Sequence, residues 1–357
     1  MSNYLEDNKD FKLFLDSTSD RTGEKNMDVW VKNLADNRAI FQHSDGWATA
    51  HLQDVEKGKT AIIMGASPHI QTQVETLRDI QDDPQFVLCG LSSNLEWLLN
   101  NGIRPKYVIT IDADPSQGDF WTNLDMEKTR GITLIANTFN YPKMLETWKG
   151  KLYFLAFDSE GKKLARKQRK YYHPLNGIGA GFIALMGQFN TMTAFAFLCL
   201  GCPIILFVGN EMSYKDLEIQ YYVDRVDPRD KEARYPHGDI HGNIVYTTPG
   251  LLALKLCLEH FLERISGAGW FFNCSEAGIF GITKRFPDLH VPWIKQLTLK
   301  NGIAQSRHIM RTGEPFYEFG AKSLITKGGY DKQKALDTLL AVENKHGKKK
   351  SLMISGG

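Results

Sequence analysis

Short apolar runs alternate with amphipathic segments along most of the chain, and this alternation predicts strands and helices in turn. Ala61–Met64 has the length and branching of a strand buried on both faces, and Val74 and Leu77 follow it at helical spacing. Strands that alternate with helices in this way predict an α/β fold with a doubly wound, mostly parallel sheet. The predicted strands are Ala61–Met64, Phe86–Leu91, Tyr107–Ile111, Ile132–Ala136, Lys151–Phe157, Ile204–Val208 and Trp270–Asn273.

The regular alternation covers residues 58–290, which we predict to be one α/β domain. Residues 1–57 form a predicted helical N-terminal segment, because Met27–Phe41 carries apolar residues at roughly helical spacing. Residues 291–357 form a C-terminal extension without strong periodicity, apart from a predicted helix at Tyr330–Glu343 and a tail that is expected to fray.

Composition is that of an ordinary globular protein, with 42% apolar residues, 24% charged residues and a net charge of +2. The most basic run, Ser159–Tyr172, lacks clustered aromatic residues and is interpreted as a solvated helix face or loop. The longest apolar stretch, near Thr193–Val208, is broken by Gly201 and Pro203, which indicates a helix followed by a strand. We therefore expect neither a nucleic-acid partner nor a membrane partner.

The five cysteines are odd in number and lie mostly inside apolar runs, which is typical of buried thiols in a reducing compartment. Cys199 and Cys202 have CxxC spacing, but no second pair completes a zinc site, so packing in the core is the favoured interpretation. The N-terminus is polar and acidic and does not read as a signal peptide. The expected location is the cytoplasm.

Three predicted strands end in turns with small or acidic residues: Gly65–Ser67, Asp112–Asp114 and Gly209–Glu211. Ligands of open α/β sheets bind outside the carboxyl ends of the strands, so we predict that these turns meet around one anionic ligand. Ser67 stands at a helix N-cap position with Pro68 next, which leaves backbone N–H groups available to phosphate or carboxylate. Asp and Asn also favour turns, so a structural role stays open.

A long polar segment, residues 212–248, follows the third of these turns and is interpreted as a lid, a binding loop or a small excursion. It contains His237 and His241, whose HxxxH spacing counts as a zinc motif mainly on a helix, and Gly238 argues against a helix there. Proton transfer, substrate contact or no role at all are open for either histidine.

The residues that carry a family resemblance are GASPHI, the IDADPSQ turn, a glycine-rich lead into an apolar helix, LFVGNEMSY, HGNIVYTTPG and NCSEAGIFGI. Their order over about residues 58–285 resembles the MptE-like 6-hydroxymethylpterin diphosphokinase family, whose domain also occurs in motility accessory factors that glycosylate flagellin. The resemblance implies a Rossmann-like core and a nucleotide-bearing donor. It implies either diphosphate transfer from ATP with Mg²⁺ to a hydroxymethyl acceptor, or sugar transfer from a CMP-sugar.

By position, Gly65, Ser67 and Pro68 match the family's G-x-[GS]-P turn, while Glu211 stands where its Asp is usual and His69 where Ser is frequent. Asp112, Asp114 and Glu211 would hold Mg²⁺, a hard cation that prefers oxygen ligands. The residues that would contact the nucleotide are Gly65, Ala66, Ser67, Pro68, Ser92, Asn94, Gly187, Gln188, Asn190, Thr191, Gly209 and Asn210.

The leading hypothesis is therefore a diphosphokinase-type transferase, in which Asp112 and Asp114 support catalysis. The first alternative is a glycosyltransferase that uses a CMP- or other nucleotide-activated sugar, with acid–base assistance from Asp112 or His237. The second alternative is a non-catalytic nucleotide- or glycan-binding protein on the same scaffold. The acceptor, a small molecule or a glycan, is not specified, and a homodimer is one open possibility for the assembly.

Overall fold

The computed structural model describes residues 27–157, 181–182, 185–215, 234–282 and 291–315. The predictions for Ser159–Tyr172, for the glycines at 177 and 179 and for a helix at Tyr330–Glu343 lie outside these residues. The chain divides into two compact units. The N-terminal unit comprises Ser19–Ala66 and Thr72–Ile205, and the C-terminal unit comprises Ser67–Gln71, Leu206–Gly357 and Met1–Thr18.

In the N-terminal unit, six parallel strands lie side by side in chain order. Ala61 pairs with Val87 and Val108 pairs with Leu134, so the apolar runs stand opposite one another. Every residue of the first three strands is buried, as expected of strands covered on both faces. The strands are β1 Thr60–Met64, β2 Phe86–Leu91, β3 Tyr107–Thr110, β4 Thr133–Asn137, β5 Lys151–Phe157 and β6 Gly181–Phe182.

Helices connect these strands, and one of them, the eleven-residue helix that begins at Gln188, is buried around most of its surface, as its apolar sequence predicts. Short 3₁₀ helices follow β3. The α-helices are α1 (residues 27–42), α2 Ala48–His51, α3 Val74–Ile80, α4 Leu95–Asn100, α5 Pro142–Thr147 and α6 Gln188–Leu198, and the 3₁₀ helices are η1 Pro68–Gln73, η2 Pro115–Trp121 and η3 Met126–Thr129.

Helix α1 packs on the hydrophobic core of the N-terminal unit. Leu34 is fully buried, and Phe41 lies against Phe154 of β5 with ring centroids 5.5 Å apart. At the N-terminal end of the helix, the Trp30 ring stacks on Phe139 at 4.9 Å. The prediction of a helix at Met27–Phe41 is confirmed, and its apolar face covers the ends of β4 and β5.

The C-terminal unit contains the end of β7 (Ile204–Val208), then β10 (Trp270–Asn273) and β11 (Lys295–Gln296), in the lateral order β7-β10-β11. The Cys274 N–H donates to the Phe207 carbonyl over 2.8 Å. An antiparallel hairpin joins β8 Tyr235–Gly238 to β9 Ile244–Thr247, and the helices are α7 Pro249–Ile265 and α8 Leu299–Thr312.

These elements confirm the predicted α/β class with a Rossmann-like, mostly parallel sheet. Within residues 212–248, interpreted as a lid, a binding loop or a small excursion, the described residues include the β8–β9 hairpin. One helix was not predicted. Helix α8 lies where no strong periodicity was read, although Thr298 caps it through the Asn301 N–H and Gly313 ends it at φ +77°. Across the described ranges, no helix combines the length and the apolar character needed to cross a membrane.

Candidate functional site

The turn after β3 presents two exposed carboxylates from a rigidly bonded backbone. Asp114 is the N-cap of η2, and its Oδ1 accepts the Ser116 N–H over 2.8 Å. The Asp114 N–H in turn donates to Asp112 Oδ1 at 3.3 Å. Asp112 and Asp114 are both exposed, whereas Ala113 between them is buried. The turn therefore points its acids outward while its centre is fixed.

Buried asparagines hold this turn through its carbonyl groups. Asn140 Nδ2 donates to the Asp112 carbonyl at 2.8 Å and to Thr110 Oγ1 at 3.0 Å. From α1, Asn33 Nδ2 donates to the Ala113 carbonyl at 3.0 Å. Asn33 and Asn140 are almost completely buried, so these hydrogen bonds form away from water, where losing one is costly. The main chain of the turn is thus fixed from below.

Several predicted nucleotide-binding residues of the N-terminal unit are instead bonded within the protein. Asn94 is fully buried. Its Nδ2 donates to the carbonyls of Met64 and Gly65 at 2.9 and 2.7 Å, and its Oδ1 accepts the Leu91 N–H. Through these three hydrogen bonds, the Asn94 side chain links the end of β1 to the end of β2. We therefore correct its role from ligand contact to fold support.

At the start of α6, some of the predicted nucleotide-binding residues are likewise bonded within the protein. The Thr191 hydroxyl lies 2.7 Å from the Leu185 carbonyl and 2.9 Å from the Gly187 carbonyl, so it closes the first turn of the helix. Gln188 is half-buried, and its Oε1 accepts the Ser92 hydroxyl at 2.9 Å. The fully buried Asn190 faces the interior of the unit. Among the predicted nucleotide contacts here, Gly187 and Gln188 are partly exposed, whereas Asn190 and Thr191 are buried.

In the C-terminal unit, the turn after β7 meets the residues that follow β1. The Ser67 N–H donates to the Gly209 carbonyl at 3.1 Å, and the Glu211 N–H donates to Ser67 Oγ at 3.4 Å. Two of the three predicted turns are therefore in contact. The third, Asp112–Asp114, belongs to the N-terminal unit, and its meeting with the others stays a prediction.

Two of the amides after β1 are already bonded within the protein, which corrects the expectation that they are available for a phosphate. The Ser67 N–H is bonded to Gly209, and the His69 N–H donates to Glu211 Oε1 over 2.8 Å. The residues after Pro68 form the 3₁₀ helix η1 rather than an α-helix. A carboxylate of the protein thus occupies the place that we assigned to a ligand anion.

Glu211 is held in an environment that disfavours its charge. Burial raises the pKa of this carboxyl to about 7, and the hydrogen bond from the His69 N–H opposes that rise. One oxygen of this carboxyl, Oε1, already accepts the His69 N–H. The assignment of Glu211 as a ligand of Mg²⁺ stays a prediction.

Three further ionisable side chains of the C-terminal unit interact with one another, His69, His241 and Glu276, and the His69 N–H connects them to Glu211. His241 Nε2 lies 2.9 Å from the Glu276 carbonyl, to which it donates. Burial lowers the pKa of His69, the Glu276 carboxylate partly reverses this, and His241 adds to the lowering. His69 is consequently neutral at physiological pH and has the protonation state of a base.

The backbone around this group is strained. Met212 and Glu276 have φ values of +54° and +58°, a left-handed conformation that residues other than glycine rarely adopt. Gly278, at φ +83°, packs its Cα face directly on the Glu211 main chain, and the Ile279 N–H donates to the Glu211 carbonyl at 2.8 Å. Contacts on both sides of Glu211 hold the turn in this conformation.

The predicted catalytic residue His237 is poorly placed for contact with a substrate. It lies in β8 with only 3% of its surface exposed, and its Nδ1 donates to the Gly238 carbonyl at 2.7 Å. His241, four residues on, is half-buried and belongs to the group around Glu211. The acid–base role predicted for His237 is therefore not carried forward.

Asn210 offers the C-terminal unit's clearest sign of a missing ligand group. Its N–H donates to Ser275 Oγ at 2.9 Å, yet its side-chain Nδ2 is buried with no acceptor among the described residues. Buried donors almost always have partners in folded proteins. Asn210 was predicted to contact the nucleotide, and an acceptor atom at Nδ2 would satisfy it.

Sequence reasoning missed Asn33, Asn37 and Glu276. The two asparagines are one helical turn apart on the side of α1 that carries Leu34, which is an unusual place for polar residues and was the available signal. Glu276 lies inside the NCSEAGIFGI motif but had no spacing that distinguished it from a turn residue.

A family model described as 6-hydroxymethylpterin diphosphokinase MptE-like matches residues 32–217, more than half of the chain and a range that includes all three turns. Among curated proteins, the chain has no match.

Among solved structures, the chain is similar to that of the MAf glycosyltransferase from Magnetospirillum magneticum AMB-1, with a TM-score of 0.51 and 17% sequence identity. The likeness covers 87% of this chain but only 46% of that protein, so the chain spans about half of the larger structure's length. At this identity the match shows a shared fold.

Proposed function

Because the chain belongs to the 6-hydroxymethylpterin diphosphokinase MptE-like family, we propose that it is a transferase whose donor carries a nucleotide diphosphate or triphosphate. The reaction we favour moves diphosphate from ATP to a hydroxyl group of a small acceptor. The single observation that carries this proposal is the Asp112–Asp114 turn, which holds two exposed carboxylates on a backbone fixed by buried hydrogen bonds.

The turn fits a hard divalent cation. Among the residues that the structure describes, no group of three or more His, Cys, Asp or Glu side chains is suited to hold a metal ion. Mg²⁺ does not require such a group, since it commonly keeps several waters and is held by one or two carboxylates together with substrate phosphates. Asp112 and Asp114 supply two carboxylates of that kind. When bound there, the cation would neutralise charge on the transferred phosphates.

In this proposal, the protein's own side chains position and polarise the donor and the acceptor. Diphosphate transfer depends mainly on alignment and on charge stabilisation, which suits a turn that cannot shift. The C-terminal unit, taken by itself, offers a buried donor at Asn210 Nδ2 that an acceptor atom of a ligand would satisfy. In the same unit, burial lowers the pKa of His69 and so favours its neutral form, and His241 donates to the Glu276 carbonyl.

Glycosyl transfer from a CMP- or other nucleotide-activated sugar is the second candidate. The observation behind it is the shared fold with the MAf glycosyltransferase. The same turn would then contact the nucleotide without a requirement for metal. A non-catalytic binding protein on this scaffold would bind a nucleotide but turn nothing over.

A nucleotide panel separates these proposals. We expect ATP to raise the midpoint of thermal unfolding only when Mg²⁺ is present, because a ligand of the folded state stabilises it in proportion to its occupancy. ATP consumption, followed as AMP release with hydroxymethylated pterins as acceptors, then tests turnover. A rise of the unfolding midpoint with CMP in the presence of EDTA would favour the glycosyltransferase over the diphosphokinase. No shift with ATP, CMP, CTP, UDP or GDP would contradict the proposal.

A further inference from the structure

Helix α1 reaches the candidate site through two asparagine side chains. Asn33 Nδ2 donates to the Ala113 carbonyl at 3.0 Å and to the Phe139 carbonyl at 3.1 Å. One helical turn later, Asn37 Nδ2 donates to the carbonyls of Thr138 and Asn140 at 2.9 and 2.8 Å. Each amide thus uses both of its N–H groups on loop carbonyls, and α1 holds the loops that follow β3 and β4.

The environment of these contacts is unlike that of a surface hydrogen bond. Asn33 is 4% exposed and Asn37 is fully buried. The stack of Trp30 on Phe139 lies next to them, with an angle of 20° between the rings. Loop carbonyls so far from water need a partner, and the two asparagine amides donate to these carbonyls. The hydrogen bonds are therefore specific requirements of this arrangement and not incidental to it.

The two asparagines differ in what they hold. Asn33 bonds directly to Ala113, the residue between the two candidate metal ligands, and so links the Asp112–Asp114 turn to the turn after β4. Asn37 bonds only to the turn after β4. The same helix therefore provides both a residue that fixes the acidic turn and a matched residue that does not touch it.

We propose that Asn33 is a positioning residue that sets the Asp112–Asp114 turn for cation and donor binding. Its action passes through the Ala113 carbonyl, since the side chain lies beneath the turn and the carboxylates above it are exposed. The proposal rests on the proposed function for its chemical consequence, but its structural part stands on the hydrogen bonds alone.

The test compares Asn33→Leu with Asn37→Leu in the full chain. Each substitution removes two hydrogen bonds from α1, but only the first releases the acidic turn. Hydrogen–deuterium exchange should be about tenfold faster at Ser116 and Gln117 in Asn33→Leu, because their N–H groups donate to Asp114. In Asn37→Leu, exchange at these two amides should match the wild type. Equal exchange in the two variants, or no change in either, would overturn the proposal.

A second readout separates positioning from simple loss of stability. The Mg²⁺ concentration that gives half of the ATP-induced thermal shift should rise about tenfold in Asn33→Leu and stay unchanged in Asn37→Leu. Faster exchange with an unchanged Mg²⁺ requirement would contradict the positioning role. If ATP does not shift the unfolding midpoint of the wild-type protein, the proposed function is contradicted. The exchange measurement would still test whether Asn33 holds the Asp112–Asp114 turn. If Asn33→Leu does not fold, Asn33→Asp keeps the side-chain shape without the donor and replaces it.

Discussion

The turns at Asp112–Asp114 and Gly209–Glu211 are similar in sequence, but their acidic side chains lie in different environments. Each follows a buried strand and each carries an acid. In the first, buried asparagines bind the carbonyls and the carboxylates are exposed. In the second, the carboxylate itself is buried and accepts the His69 N–H. The first arrangement exposes carboxylates that a ligand can contact, whereas the second engages its carboxyl group in a hydrogen bond within the protein.

The difference teaches that an acid after a strand is not by itself a binding residue. Its role depends on whether the surrounding groups form hydrogen bonds with the backbone of the turn or with the acidic side chain itself. The asparagines leave the carboxylates of Asp112 and Asp114 exposed, whereas Glu211 Oε1 accepts the His69 N–H. Substitutions that change either environment should therefore have effects of different kinds.

The largest effect is expected from Gly278→Ala, which breaks the closed turn. A Cβ at this position would collide with the main chain of Glu211, and the left-handed backbone adds strain. We expect a loss of about 3–5 kcal/mol in the free energy of unfolding, measured by urea denaturation. Gly313→Ala is the matched control, because Gly313 has φ +77° but nothing within 4 Å of its Cβ position. Equal losses in the two variants would mean that strain alone acts at Gly278.

Glu211→Gln tests the buried carboxyl through pH. The folded-state pKa of about 7 lies above the ordinary value of 4.5, so the folded protein binds the proton more tightly. The stability from this group is fully present below pH 4.5 and is lost as pH rises through 7. At pH 8, Glu211→Gln should therefore be more stable than the wild type, by up to roughly 3 kcal/mol.

The control for this experiment is the same pair of proteins below pH 4.5. There the advantage of the glutamine should vanish, since both side chains are neutral. Comparing the two proteins at each pH also removes the contribution of His69, which titrates in both. An advantage of Glu211→Gln that does not change with pH would show that the carboxyl is not held as described.

Sequence predicted the strands better than it predicted the environment of polar groups. β2, β5, β7 and β10 begin and end where their apolar runs do, because a buried parallel strand leaves a continuous apolar signal. The prediction for β4 began and ended one residue too early, because Ile132 is as apolar as the strand itself.

The candidate site was predicted only in part, for a physical reason. The Asp112–Asp114 turn could be found because its acids follow a strand directly. Sequence could not show that Glu211 Oε1 accepts the His69 N–H, because the two residues are 142 positions apart in the chain. Nor could it show that Asn94 bonds to the carbonyls of Met64 and Gly65, which lie 30 and 29 residues earlier in the chain. Contacts distant in sequence decided each of these roles.

A smaller effect is expected from the cap at Asp114. Asp114→Ala removes the acceptor for the Ser116 N–H and should cost about 1 kcal/mol in the free energy of unfolding without added metal. Asp114→Asn should keep most of that stability, because asparagine is an equally good cap. Thermal denaturation in EDTA measures both. If Asp114→Asn lost as much as Asp114→Ala, the negative charge and not the cap would be what stabilises the turn.

The central claim, that the exposed turn binds the donor's cation, is tested most directly by calorimetric titration of ATP in saturating Mg²⁺. Asp112→Asn is compared with Asp125→Asn, whose exposed carboxylate caps η3 through the Glu127 N–H in the same way that Asp114 caps η2. We predict that Asp112→Asn weakens ATP binding by about 10- to 100-fold, while Asp125→Asn binds like the wild type. Wild-type affinity in Asp112→Asn would contradict the account.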